Sequence, residues 1–123
     1  MNGKEKFLDS YAIIEIIKEN QNYKPFKEAV AVTGKANLIE VAYSLLQDFQ
    51  KETALIILGS LKIKTLEIED NQITKIAVFK KEHAKKKFSY IDCIGYILAK
   101  ENGIAFVTGD KEFEGMPNVE FVK

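Results

Sequence analysis

Arginine is absent from this chain, histidine and cysteine occur once each, as His83 and Cys93, and proline only twice, at Pro25 and Pro117. Each scarcity removes a class of explanation. A lone thiol cannot staple the chain to itself, so the expected setting is a reducing, cytoplasmic one. Every one of the 18 cations is a lysine, set against 18 Asp plus Glu, and the formal net charge is zero. The chain therefore lacks the global basic field of a nonspecific nucleic-acid binder and the bidentate forks that guanidinium supplies. Any phosphate backbone must be met by a local patch. There is no repeat, low-complexity segment or linker, and neither proline breaks a periodic run. The apolar run Ala54 to Gly59 is far too short to span a bilayer. Met1 to Lys6 is charged and leads into no long apolar core, so no secretory signal is expected.

What is present is ordinary globular composition: 46% apolar and 29% charged residues over a length of 123. Disorder, collagen and coiled coil do not describe it. The length suits a single domain spanning 1–123, with enough core to fold without a metal or disulfide.

Phe7-Leu8 is a short apolar pair, read as the first strand, and it runs into Asp9-Ser10. The spacing predicts a helix from Tyr11 to Glu19, a polar turn over Asn20–Lys24, and a short helix from Pro25 through Val30. After Thr33-Gly34-Lys35 comes the cleanest helix, with the stripe Leu38, Val41, Ala42, Leu45, Leu46 and Phe49. Glu52 to Leu61 is apolar throughout, helix or strand, with residue propensities favouring helix. Lys62 to Asp70 alternates and predicts a strand. Asp70 can cap a helix from Ile73 to about Lys86 with the face Ile73, Ile76, Ala77 and Ala84. Ser89-Tyr90-Ile91-Asp92 has the form of a capping box, opening a helix to Asn102 that Gly103 stops. Ile104 to Val107 reads as a buried strand. A turn over Thr108–Met116 and a strand over Val119–Val122 complete the pattern. Strands separated by helices imply an α/β fold, a parallel sheet covered on both faces. Chemistry in such sheets sits beyond the carboxyl ends of the strands.

That rule singles out Asp9 and Asp110. Each has a plain structural role as well: Asp9 as an N-cap, Asp110 as the Asx residue of the turn Thr-Gly-Asp-Lys. Asp92 is equally well a capping acid favoured by the helix dipole. Glu40 lies nearly opposite the apolar stripe, and periodicity alone makes it a solvated surface residue. The case rests on combination, because two strand ends and two early helix turns can converge at one sheet edge. Carboxylates without His or Cys partners suit a hard divalent cation. Without one they repel each other.

These residues resemble a known family. Phe-Leu-Asp-Ser near the start, Asn-Leu-Ile-Glu-Val on a helix, Ser-Tyr-Ile-Asp-Cys opening a late helix, and Val-Thr-Gly-Asp-Lys-Glu-Phe after a buried strand are similar to the PIN domain, in particular to VapC-type ribonuclease toxins. The likeness runs from Phe7 to Val122. It implies a three-layer α/β/α domain around a mostly parallel four- or five-stranded sheet. It also implies an acidic pocket binding Mg2+ or Mn2+ and hydrolysing phosphodiester bonds of single-stranded RNA. By resemblance, Asp9, Glu40, Asp92 and Asp110 match the family's four acids. Asp9, Asp92 and Asp110 are the expected metal ligands, and Glu40 a holder of a second metal or a metal-bound water. Ser10 and Thr108 are the supporting hydroxyls, and Glu112 or Glu114 an outer carboxylate. The resemblance further implies a homodimer and a small antitoxin partner; the short apolar runs give no reason to expect a membrane partner.

Among the remaining features, Lys80, Lys81, Lys85, Lys86 and Lys87 form either a solvated helix end or an RNA contact. Lys85, Lys86 and Lys87 are the candidate RNA-binding residues. His83 reads as a surface residue and Cys93 as a small buried one. No glycine-rich phosphate loop is present. Two rival readings are an inactive PIN-like module that binds RNA or protein, and a receiver-like phosphoacceptor. The receiver fits poorly, since Asp9 has no acidic neighbour and Lys111 follows Asp110.

Overall fold

The computed structural model describes residues 5–123. Most of the Met1–Lys6 segment, on which the secretory-signal expectation falls, lies outside that range. Five strands form one sheet: β1 (Glu5–Leu8), β2 (Val30–Gly34), β3 (Lys64–Leu66), β4 (Ala105–Thr108) and β5 (Val119–Phe121). Their order is β3-β2-β1-β4-β5, and every neighbouring pair is parallel. The expected mostly parallel sheet of four or five strands is thus an all-parallel one of five. Helices α1 (Ser10–Ile17), α2 (Lys35–Asp48), α3 (Lys51–Ser60), α4 (Asp70–Glu82) and α5 (Tyr90–Glu101) connect the strands.

Strand alternation sorts the core into two layers. Phe7, Val32 and Phe106 point to the α4–α5 side, where they meet Phe79, Phe88, Tyr96 and Phe113. The rings stack closely there, with centroids 4.3 Å apart for Phe88–Phe113 and 4.8 Å for Phe79–Tyr96. Leu8 and Val107 point the other way, onto Ala12, Ile13, Val41, Leu45 and Ala54 of α1, α2 and α3. Gly95 lets α5 lie close on the sheet, since a Cβ there would stand 3.1 Å from the Phe7 ring and 3.2 Å from that of Phe106. Among the described residues, no helix is long and apolar enough to cross a membrane.

Several local expectations need correction. Pro25 lies inside a 3-10 helix, Gln21–Glu28, and the chain extends at Ala29 instead of continuing helical through Val30. Val30–Gly34 is then strand β2, paired with β1 and β3. Its β-branched residues fit a pleated surface. The strand expected over Lys62–Asp70 shrinks to Lys64–Leu66, because it is an edge strand whose partner offers only Val32 to Gly34. Helix α4 starts at Asp70, with Glu69 as N-cap, and the Glu69 N–H donates to Gln72 Oε1 at 2.8 Å. It buries Gln72, Ile76 and Phe79 and leaves Ile73, Ala77 and Ala84 exposed. It also ends early, where His83 Nδ1 donates to the Phe79 carbonyl at 2.9 Å. In α2 the buried positions are Asn37, Val41 and Leu45, while Leu46 and Phe49 face outward.

Candidate active site

The chain runs β1, β2, β3 toward one edge and then crosses to β4 and β5 on the other side of β1. The carboxyl ends of β1 and β4 therefore flank the point where the winding reverses, the usual place for a ligand crevice. Leu8 pairs with Val107, and the Asp9 N–H donates to the Val107 carbonyl at 3.2 Å. Asp9 also N-caps α1, its Oδ1 accepting from the Ala12 N–H at 2.8 Å. The buried Thr33 hydroxyl donates to the Leu8 carbonyl at 2.7 Å and holds the strand end in place. Across the reversal, Asp110 N–H donates to Thr108 Oγ1 at 3.0 Å, and Asp110 Oδ1 accepts from the Glu112 N–H at 3.0 Å.

Asp92 closes the expected box: the Ser89 N–H donates to Asp92 Oδ2 at 2.8 Å, and the Asp92 N–H to Ser89 Oγ at 3.0 Å. Glu40 is exposed on α2 but is not merely solvated. Ser10 Oγ donates to Glu40 Oε1 at 2.5 Å. The same hydroxyl meets Asn37, a residue that belongs to no motif in the sequence. Asn37 Nδ2 donates to Ser10 Oγ at 3.1 Å, and of the two acceptors facing the Ser10 proton Glu40 Oε1 is much nearer than the Asn37 carbonyl at 3.4 Å. Asn37 could have been found, since it shares the buried face of Val41 and Leu45 at four-residue spacing. Its Oδ1 is buried without a hydrogen-bond partner among the described residues.

Asp9, Ser10, Glu40, Asp92 and Asp110 line one cleft of about 650 Å³. Tyr11, Lys111 and Lys123 also line it, and no sequence pattern marks any of these three as a site residue. The carboxylates are electrostatically uncomfortable there. Burial pushes the Asp9 carboxyl up to about 7; hydrogen bonds from Thr108 and Ala12 oppose this, and the Asp92 and Asp110 charges reinforce it. Asp92 is raised chiefly by burial, against its Ser89 hydrogen bonds, with Asp110 and Glu40 adding repulsion. The ion pairs found among the described residues, Lys6–Glu120, Lys35–Glu67 and Lys75–Glu101, involve none of the four acids. Among those residues no three His, Cys, Asp or Glu side chains close on a common metal position as they stand. The donor set nevertheless fits a hard cation that keeps some of its waters: it is all oxygen, partly buried and uncompensated.

The remaining candidates fall elsewhere. Glu112 Oε1 accepts from the Lys87 N–H at 3.2 Å, and its carbonyl from Lys86 Nζ at 2.8 Å. Neither Glu112 nor Glu114 lines the cleft. The turn bearing Lys85, Lys86 and Lys87 is thereby tied to the short helix that follows Asp110, with all three side chains at the surface. Cys93 is fully buried, which raises its thiol pKa and makes it a poor nucleophile.

Gly109 bridges Thr108 and Asp110 beneath the Tyr11 ring. A Cβ there would stand 2.1 Å from Tyr11 Cε1. Gly109→Ala must therefore displace the ring and pull on Asp110. The expected result is a destabilisation of about 1–3 kcal/mol, typical of overpacking, read by urea denaturation. Unchanged stability would show that the turn gives way freely.

The chain matches the PIN domain family over residues 6–119. Among curated proteins, none matches it. Its fold is similar to that of VapC20 from Mycobacterium tuberculosis, a sarcin-ricin loop cleaving toxin, at 15% identity and TM-score 0.76, covering 95% of this chain and 98% of that one. It is similar to VapBC2 from Rickettsia felis, bound to a DNA fragment from its promoter, at 15% identity and TM-score 0.76, covering 97% and 99%. A toxin-antitoxin complex from Klebsiella pneumoniae is similar at 18% identity and TM-score 0.74, covering 94% and 95%. At these identities the likeness shows the fold.

Proposed function

The chain belongs to the PIN domain family, and on that premise we propose that it is a metal-dependent endoribonuclease cleaving single-stranded RNA, the toxin of a toxin-antitoxin pair. The observation that carries this reading is the placement of Asp9, Glu40, Asp92 and Asp110 around one cleft at the β1–β4 reversal, with none of the four in an ion pair among the described residues. Asp9 is buried and the charges of Asp92 and Asp110 act against its ionisation, a cost that a bound cation would offset. The toxins of similar fold named above support the biological role.

Asp9, Asp92 and Asp110 would hold the cation, Mg2+ or Mn2+. When bound, it neutralises the phosphate and makes water a stronger nucleophile. The backbone N–H groups of Ala12, Ser89 and Glu112 keep the three carboxylates turned into the cleft. Glu40, with Oε1 held by Ser10, has Oε2 left to orient the attacking water and take its proton. Water oxygen bonds to phosphorus, the P–O bond to the leaving nucleotide breaks, and that oxygen is protonated from solvent. Lys85, Lys86 and Lys87, on the turn tied to the short helix after Asp110, contact the RNA backbone outside the cleft.

The rest of the reading is one domain over 1–123, working in the cytoplasm as a homodimer and held inactive by a small antitoxin. Exposed Ile39, Tyr43 and Leu46 on α2 and Leu55 and Ile56 on α3 offer an apolar face for a protein partner. The purified chain is expected to cut single-stranded RNA with Mn2+ or Mg2+ and to stop when EDTA is added in excess. Cleavage that persists in EDTA would overturn the metal-dependent reading.

A further inference from the structure

Resting on the nuclease reading, we propose that Lys111 and Lys123 form a second phosphate subsite, which takes the phosphodiester group next to the one being cleaved. Both lysines line the same cleft as the four acids. The cleft is therefore polar in two senses, with carboxylates on one part of its wall and two ammonium groups on another. A polyanion entering an acidic pocket is repelled unless fixed positive charge receives its neighbouring phosphates.

The pair is held in place by the fold. Lys111 directly follows Asp110 and opens the short helix that Asp110 caps. Lys123 is brought to the cleft by strand β5: the Val122 N–H donates to the Thr108 carbonyl at 2.8 Å, and the Tyr23 hydroxyl donates to the Val122 carbonyl. Asn22 Nδ2 donates to the Lys123 carbonyl at 3.0 Å. Two segments 12 positions apart in the chain thus present like charges to one space. Neither lysine is in an ion pair among the described residues. Two adjacent ammonium groups repel each other, and an anion bound between them relieves that repulsion. With both lysines and the acids on one cleft, the anion received on this proposal is the phosphate next to the one at the acids. The substrate then spans at least two consecutive phosphates.

The test compares Lys111→Gln/Lys123→Gln with Lys27→Gln/Lys62→Gln, a control that removes the same charge at the opposite, amino-terminal edge of the sheet. Binding of a short fluorescent single-stranded RNA is followed by anisotropy across a salt series, in an Asp9→Asn background that keeps the RNA intact. Cleavage kinetics are measured with Asp9 present. Removing the pair is expected to raise Kd and KM about tenfold, the scale of a charged hydrogen bond, with kcat within twofold of the parent. The salt slope should flatten by about 0.7 for each phosphate that the variant no longer neutralises. If the double variant matches the control while the parent still cleaves RNA, the subsite is overturned and the nuclease reading stands. If the parent does not cleave but binds RNA through the lysine pair, the subsite stands and the nuclease reading falls. A parent that binds no RNA overturns both.

Discussion

Asp9→Asn is expected to cut metal-dependent RNA cleavage by about 10²–10³ and, at the same time, to raise the melting temperature of the metal-free protein. The two effects share one cause. Asp9 caps α1 through Oδ1 and lies 5% exposed behind Asp92 and Asp110. Asn keeps an acceptor for the Ala12 N–H and nearly the same shape, so the cap survives. What disappears is a charge that burial opposes, raising the carboxyl from its ordinary 3.8 to about 7. At one tenfold per 1.36 kcal/mol, that difference corresponds to a few kcal/mol above neutral pH. Removing it should lift the melting temperature by several degrees or more. The same charge is the innermost of the proposed cation ligands, and losing several kcal/mol of transition-state stabilisation lowers kcat by about 10²–10³. Calorimetry and an RNA cleavage assay on one preparation check both halves. A variant that is less stable and still active would mean that Asp9 is only a helix cap. Asp110→Asn is expected to lose cleavage as well, although Asp110 is less deeply buried than Asp9.

The sheet edge and the placement of three of the four acids at it were legible because their local structural roles lie at the strand and helix ends that line the cleft. Asp9 is a cap after a strand, Asp92 closes a box with Ser89, and Asp110 begins a turn after a buried strand. All three signals lie within a few residues. Strand β2 was not legible. Five residues between a proline-containing segment and a strong helix leave no room for alternation to declare itself, and only pairing with β1 and β3 decides the state. Glu40 shows the limit in another way. Its period correctly places it on the exposed side of α2, yet it reaches the cleft through a hydrogen bond from Ser10, 30 positions away. The Ser10 hydroxyl in turn accepts from Asn37. Lys111 and Lys123 come together only because β5 runs beside β4. No periodic pattern encodes these meetings, because each is a consequence of tertiary structure.

The second large effect is a reversal of pH dependence by metal. In the metal-free protein, Asp9 and Asp92 both have carboxyl pKa values raised on folding. The folded chain therefore holds protons that the unfolded chain releases, and stability falls where the unfolded state binds fewer protons. For Asp9 this penalty is absent below about pH 4, grows through the interval up to about 7, and is constant above it. The metal-free protein should accordingly melt at a higher temperature at pH 5 than at pH 8, the opposite of the usual acid sensitivity of carboxylates paired in the native state. A divalent cation binds only the deprotonated carboxylates, so Mn2+ should stabilise strongly at pH 8 and little at pH 5. At a hundred times its Kd the gain is about 2.7 kcal/mol. Excess EDTA should restore the metal-free order. In Asp9→Asn the fall in stability from pH 5 to pH 8 should be much reduced and the response to Mn2+ largely abolished. Melting curves at the two pH values, with Mn2+ and with EDTA, measure all of this. An equal Mn2+ shift at pH 5 and pH 8, or an unaltered shift in Asp9→Asn, would place cation binding away from the acids at the β1–β4 reversal.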